Sequence, residues 1–151
     1  MFKISCNRDL EGAISDCIDP RRTFILEESI DFKELTVPIL NGRCLPAVEI
    51  RTSETFYNFN AKYVNEDTQL TKLKLSTEKQ SSLKEICLKT LNVSGCEGWA
   101  RVDLLADRNS NFYVLEINTV PGMTSHSLFP KSAESVGLSY DDLVQEIING
   151  Y

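Results

Sequence analysis

Two short apolar runs carry the residues of this chain best suited to chemistry: Trp99-Ala100-Arg101-Val102-Asp103-Leu104-Leu105 and Phe112-Tyr113-Val114-Leu115-Glu116-Ile117-Asn118. An arginine, two acids and an amide interrupt them. Such residues are seldom set in apolar runs unless a cation or a charged ligand compensates them. In a strand, residues i and i+2 share a face. Arg101 and Asp103 therefore project together, and so do Glu116 and Asn118. Between the runs lies Asp107-Arg108-Asn109-Ser110-Asn111, a polar cluster that reads as a hairpin turn. A turn centred between Asn109 and Ser110 sets Asp103 opposite Glu116 and Arg101 opposite Asn118. A two- or four-residue loop gives this register, whereas a three-residue loop shifts it by one.

Directly opposed residues have Cβ atoms about 5 Å apart, and like charges there repel. Two such carboxylates with an amide oxygen beside them make an all-oxygen donor set. That set suits Mg²⁺ or Mn²⁺ better than zinc. Arg101 cannot ligate a cation, but it can hold a phosphate or a developing oxyanion. The spacing is equally compatible with a hairpin whose polar face is solvated, Arg101 and Glu116 forming a diagonal ion pair. The Pro121-Gly122 turn and the Thr124-Ser125-His126-Ser127 cluster add backbone donors and hydroxyls beside the same strand end.

Several elements must position these residues. The sequence predicts a helix from Asn7 to Ile18 with Asn7 as its N-cap, ended by Asp19-Pro20-Arg21-Arg22. Strands are expected at about 23–30, 35–40 and 44–51, with Asn41-Gly42 as a hairpin turn. The polar stretch 57–75 reads as a lid. Leu83, Ile86, Cys87, Leu88 and Leu91 have helical spacing within Thr77–Val93, and Gly95 stops that helix. Two short helices close the chain, the second capped at Ser139. Strands and helices do not alternate strictly. The expected class is α+β, an antiparallel sheet with helices packed on one side, in a single domain over 1–151.

The chain has 151 residues, 42% of them apolar and 25% charged, an ordinary globular balance that argues against disorder. A net charge of −6 argues against nucleic-acid binding by bulk electrostatics. It does not exclude a nucleotide, since a local cation overrides the net field. The cysteines Cys6, Cys17, Cys44, Cys87 and Cys96 are odd in number and form no CxxC. They read as small apolar residues in a reducing compartment rather than as a disulfide framework or zinc site. With no signal peptide or transmembrane run, a cytoplasmic location without membrane association is the default expectation. His126, the one histidine, reads as a turn residue, and Trp99 as core.

Gly98-Trp99-Ala100-Arg101-Val102-Asp103 and the run from Leu115 to Leu128 (LEINTVPGMTSHSL) resemble the signature of the D-alanine–D-alanine ligase family of ATP-grasp enzymes, in its C-terminal part. Phe24-Ile25-Leu26-Glu27-Glu28 followed by Glu34-Leu35-Thr36-Val37 resembles that family's nucleotide-binding strand pair. Thr55-Phe56-Tyr57 with Ala61-Lys62-Tyr63 resembles the start of its mobile loop. The resemblance runs from about Phe2 to Tyr151. It implies an ATP-grasp C-terminal subdomain and ATP-dependent joining of two D-alanines through an acyl phosphate, a step of peptidoglycan precursor synthesis.

By the same resemblance Asp103, Glu116 and Asn118 hold Mg²⁺, and Arg101 with the Gly122 N–H stabilises the oxyanion. Ser127 and Leu128 receive the second D-alanine's carboxylate. Lys62 contacts phosphate, and Tyr63 belongs to the closing loop. Glu27 and Ile30 contact adenine, Glu34 contacts the ribose, and Leu115 also lines the nucleotide site.

The chain departs from the family in lacking the N-terminal domain, the lysine before the phosphate-covering loop, and that glycine-rich loop. Its seven glycines are scattered. Glu54 replaces a usual glycine, Ser29 a larger adenine-pocket residue, and Leu70–Leu75 lacks a proline. Met1 directly precedes the alternating Phe2-Lys3-Ile4-Ser5. The expectation is a truncated or split gene product, or an expressed fragment. Three readings follow: an active ligase part, a non-catalytic remnant binding nucleotide, or a half-enzyme completed by a separate N-terminal partner. An open apolar face where the missing lobe would dock predicts self-association.

Overall fold

The computed structural model describes residues 4–16, 19, 21, 23–30, 33–51, 69–72 and 75–150. It comprises two compact units, Met1–Asp31 and Phe32–Tyr151.

In the first unit, helix α1 spans Asn7–Ser15. Its N-cap is Cys6, not Asn7 as the sequence suggested. Asp9 explains the difference. Its carboxylate reaches back to accept from the backbone N–H of Ser5 at 2.8 Å and of Cys6 at 3.2 Å, which fixes the helix start one residue early. The strand expected at 23–30 is also corrected, since these residues carry no regular structure. Strand geometry depends on a hydrogen-bonding partner, and no described strand pairs with this segment. Phe24, Ile25 and Leu26 are 54%, 83% and 76% exposed, so apolar character alone did not order them into a sheet.

The second unit is built on an antiparallel sheet. Its strands are β1 (Lys33–Leu40), β2 (Arg43–Cys44), β3 (Val48–Arg51), β4 (Gln69–Lys72), β5 (Trp99–Ala106) and β6 (Phe112–Asn118). The order is β4-β3-β1-β5-β6, with β2 paired to the end of β1. Asn41 and Gly42 take φ of 48° and 75°, which a two-residue turn between twisted strands requires, and Leu40 pairs with Arg43 across them. The single strand expected at 44–51 is two strands. Pro46 lies between them and has no N–H to give a ladder. Residues 69–72, expected as lid, instead form β4 and satisfy the outer backbone of β3, with Ile50 opposite Leu70. Residues 52–68, including Lys62 and Tyr63, lie outside the described residues.

Helix α2 (Thr77–Val93) places Leu83, Cys87 and Leu91 on one face, at the predicted spacing. They pack on Val37, Ile39, Ala100, Val102 and Leu104, the inward face of β1 and β5. Burying each large apolar side chain is worth about 1.5–3 kcal/mol. Ser76 caps the start. At the other end Gly95, φ 64°, lets Cys96 N–H reach Leu91 O at 3.1 Å and Gly95 N–H reach Asn92 O at 3.1 Å, satisfying two late carbonyls. Helices α3 (Leu128–Glu134) and α4 (Tyr140–Asn149) gather a second cluster, in which Phe129, Ala133 and Leu143 surround Leu40 and Leu45. Trp99 packs edge-on to Phe129, ring centres 5.5 Å apart, as a core residue. The α+β class holds. Leu40 and Trp99 share a sheet face with Thr36 and Asp103, so the second cluster covers one end of the face opposite α2, and further along that face the residues turn polar.

Candidate active site

That face is a grid. Across β1, β5 and β6 the register aligns Glu34–Leu105–Tyr113, then Thr36–Asp103–Glu116, then Pro38–Arg101–Asn118. Rows two residues apart are about 6.6–6.8 Å apart along the strands. The alternate residues Leu35, Val37, Ala100, Val102 and Leu104 are fully or almost fully buried. The pairs inferred from sequence, Asp103 with Glu116 and Arg101 with Asn118, are present.

They are reached by an unexpected route. The turn is 107–111, since Ala106 pairs with Phe112. Asp107 builds it: its carboxylate accepts from Asn109 N–H, Asn111 N–H and Asn111 Nδ2, each at 2.8 Å. Backbone hydrogen bonds from Asn111, foremost, hold the Asp107 carboxyl below its ordinary 3.8. This odd loop, continued straight, would put Glu116 opposite Val102, against α2. A bulge prevents that. Leu104 pairs with Val114 and Asp103 with Glu116, which leaves Leu115 as the extra residue. Phe112 and Ile117 thus both pack on the α2 cluster while Glu116 stays opposite Asp103.

Asp103 is 2% exposed and accepts hydrogen bonds through both carboxylate oxygens. Thr36 Oγ1 donates to its Oδ1 at 2.6 Å. Arg101 forks onto it, Nε to Oδ1 at 2.9 Å and Nη2 to Oδ2 at 2.7 Å. A carboxylate offers about four lone-pair sites, so Oδ2 keeps one for a cation. Glu116 is exposed beside it, and Asn118 is half-buried with Oδ1 accepting from Val120 N–H at 3.1 Å. Among the described residues no three His, Cys, Asp or Glu converge on a metal position. The donors are two carboxylates and an amide oxygen, which fits Mg²⁺ or Mn²⁺ completed by water and phosphate.

Past β6, Met123 packs against the second cluster, and its backbone oxygen accepts from the Tyr140 hydroxyl at 2.9 Å. Ser127 Oγ accepts from Thr124 N–H at 3.0 Å and lies 2.9 Å from Thr124 Oγ1. A Cβ on Gly122 would stand 3.0 Å from Ser127 Oγ, so this approach favours glycine. Leu128 follows, buried at 8% exposure, while His126 is exposed. Leu115 is 52% exposed, and Glu34 is half-buried one row from Asp103. Glu27 is exposed and Ile30 half-buried, both in the first unit. Thr36 was missed by sequence reasoning. Its signal was there, an i+2 step from Glu34 and the one polar residue in the run Leu35–Leu40.

Comparison with known proteins accords with this geometry. The family model described as D-ala D-ala ligase C-terminus matches residues 1–149. The D-alanine–D-alanine ligase of Haemophilus ducreyi is 39% identical over 98% of this chain and 49% of its own length. That of Mannheimia succiniciproducens is 40% identical over 98% of this chain and 48% of its own. The chain therefore spans about half the length of these relatives. Among solved structures, the Bacillus anthracis D-alanine–D-alanine ligase complexed with ATP superposes with a TM-score of 0.70 at 32% identity, over 82% of this chain and 39% of its own. The Enterococcus faecalis D-Ala:D-Ser ligase VanG gives 0.67 at 25% identity, over 81% and 37%.

Proposed function

The chain belongs to the D-ala D-ala ligase C-terminus family, and from that premise we propose that it supplies the metal-holding, phosphate-handling and second-substrate part of an ATP-dependent D-alanine–D-alanine ligase. The observation that carries this reading is the three-row grid. Glu34, the ribose candidate, stands one row from Asp103 and Glu116, and Arg101 with Asn118 stands one row further. That order matches a nucleotide lying along the strands with its sugar near Glu34 and its terminal phosphate near Arg101. Phosphoryl transfer asks mainly for positioning and charge neutralisation, and this layout offers both.

Asp103, Glu116 and Asn118 would hold Mg²⁺ or Mn²⁺, which when bound neutralises phosphate charge. Arg101 and the Gly122 N–H would face the oxyanion formed when the amine attacks the acyl phosphate. Ser127 and Leu128 would take the carboxylate of the incoming D-amino acid. Glu27, Ile30 and Leu115 would contact the nucleotide, Lys62 its phosphates, and Tyr63 would belong to the closing loop. The partners proposed are ATP, D-alanine, and either a second copy of the chain or the remaining half of a ligase. A cytoplasmic location belongs to the same proposal. Among the described residues, no helix is long and apolar enough to cross a membrane.

The test is D-alanine-dependent ADP release with Mg²⁺ and ATP, by the chain alone and mixed with the N-terminal half of a relative, with Asp103→Asn as control. Turnover lost in the control supports the reading. Turnover equal in the control, or no turnover and no nucleotide binding in either setting, overturns it.

A further inference from the structure

Two thiols that the candidate site does not use meet between β2 and α2. Cys87 is completely buried in the α2 cluster, and half-buried Cys44 packs against that cluster. The Cys44 Sγ lies 3.9 Å from the backbone oxygen of Lys84. Lys84 and Cys87 are three residues apart on α2, hence on one helix face. Cys44 is held over that face by its pairing with Ile39 in the β1–β2 ladder. We propose that Cys44 and Cys87 are an oxidisable thiol pair, a modification site at which Cys44 reacts with a small disulfide and Cys87 resolves the adduct.

The two thiols differ in the way the proposal needs. A hydrogen bond from the Cys87 thiol, aided by the Lys84 ammonium, holds the Cys44 thiol below its ordinary 9.0. The same hydrogen bond, burial and the charge of Cys44 push Cys87 far up. Cys44 is thus the nucleophile and Cys87 the reserve. The Cys44 thiolate attacks one sulfur of a disulfide RSSR and releases RS⁻, leaving a mixed disulfide. The Cys87 sulfur then attacks the Cys44 sulfur, its proton passing to the second departing RS⁻. The balance is two protein thiols and RSSR giving one protein disulfide and two RSH. This joins the β1–β2 hairpin, and through it the strand bearing Glu34 and Thr36, to the helix behind the sheet.

The experiment treats the native chain with oxidised glutathione, quenches with an alkylating agent, and reads intact mass and peptide maps with time. Cys96 is the internal reference, because it too is half-buried. Cys44 is expected to react before Cys96. The advantage is about threefold for each tenfold gain in thiolate, since a more acidic thiol is also a weaker nucleophile. The end product expected is a Cys44–Cys87 cross-link. Cys87→Ser should instead accumulate glutathione on Cys44, and Cys44→Ser should leave Cys87 reduced. Reaction at Cys96 first, cross-linking of another pair, or a Cys44–Cys87 link formed only in denaturant overturns the proposal. The wild-type map alone decides if a variant fails to fold.

Discussion

Thr36 and Asp103 are direct cross-strand partners on β1 and β5, and a 2.6 Å hydrogen bond joins their side chains in a site where neither sees solvent appreciably. Thr36→Val keeps the shape and removes the donor, leaving a buried carboxylate one bond short. Such a loss costs about 1–3 kcal/mol. Urea denaturation should show a drop of that size for Thr36→Val and little change for Thr36→Ser. Equal stability of wild type and the valine variant would remove Thr36 from the account of how Asp103 is held.

Arg101 donates to the same acid from two positions further back on β5. Its side chain is 12% exposed and that of Asp103 is 2%, so the pair is largely desolvated. Removing one member of such a pair costs about 3–5 kcal/mol, because the other is left charged and buried. Arg101→Ala should unfold at markedly lower urea than wild type. Arg101→Lys should recover only part of the loss, since an ammonium cannot make both bonds of the fork. Full recovery by lysine would show that charge alone, without the planar fork, suffices.

Gly122→Ala tests the loop after β6. The new methyl would stand 3.0 Å from Ser127 Oγ, tighter than ordinary contact, and Ser127 would have to give. Its bond from Thr124 N–H would weaken, at a cost of about 1 kcal/mol. Amide hydrogen exchange at Thr124 should quicken while α2 stays protected. Unchanged exchange at Thr124 would mean that the serine absorbs the methyl without moving.

The turn between β5 and β6 should be pH-dependent. Backbone hydrogen bonds from Asn111, foremost, hold the Asp107 carboxyl below 3.8 in the folded chain. A lowered folded value means a contribution to stability that is present above the unfolded value and lost as pH falls through the folded one. The window therefore lies below about pH 3.9. Amide shifts of Asn109 and Asn111 should titrate there together. Asp107→Asn should abolish that titration. A midpoint at or above the ordinary carboxylate value would contradict the three bonds.

Much of this arrangement is legible in residue types. Asn41-Gly42 specifies its turn, Leu83, Cys87 and Leu91 specify a helix face, and Arg101/Asp103 with Glu116/Asn118 specify a shared polar face. What was illegible depends on partners distant in sequence. Phe24-Ile25-Leu26 has a strand's composition, but no described ladder receives it. Gln69–Lys72 has a loop's polarity, yet β3 offers it an open edge. The Asp107-x-Asn109-x-Asn111 spacing carried the true turn length. It could be read only by asking what the aspartate's two oxygens would bond. The bulge followed from the conflict between that turn and the need to keep both Phe112 and Ile117 on the α2 side.

That conflict leaves β6 as two half-strands of opposite phase spliced at Leu115. From Phe112 to Val114 the even positions face the core, and from Glu116 to Asn118 the odd one does. Geometrically, Leu115 could be excised and the ladder closed, with Val114 still against Leu104 and Glu116 still against Asp103. Each half carries both faces, with Tyr113 on the grid in the first and Ile117 on the α2 side in the second, and the two meet at a single residue. Turn length and the facing of Glu116 are thereby uncoupled, since a one-residue change in the loop can be absorbed at Leu115 without turning Glu116 away from Asp103.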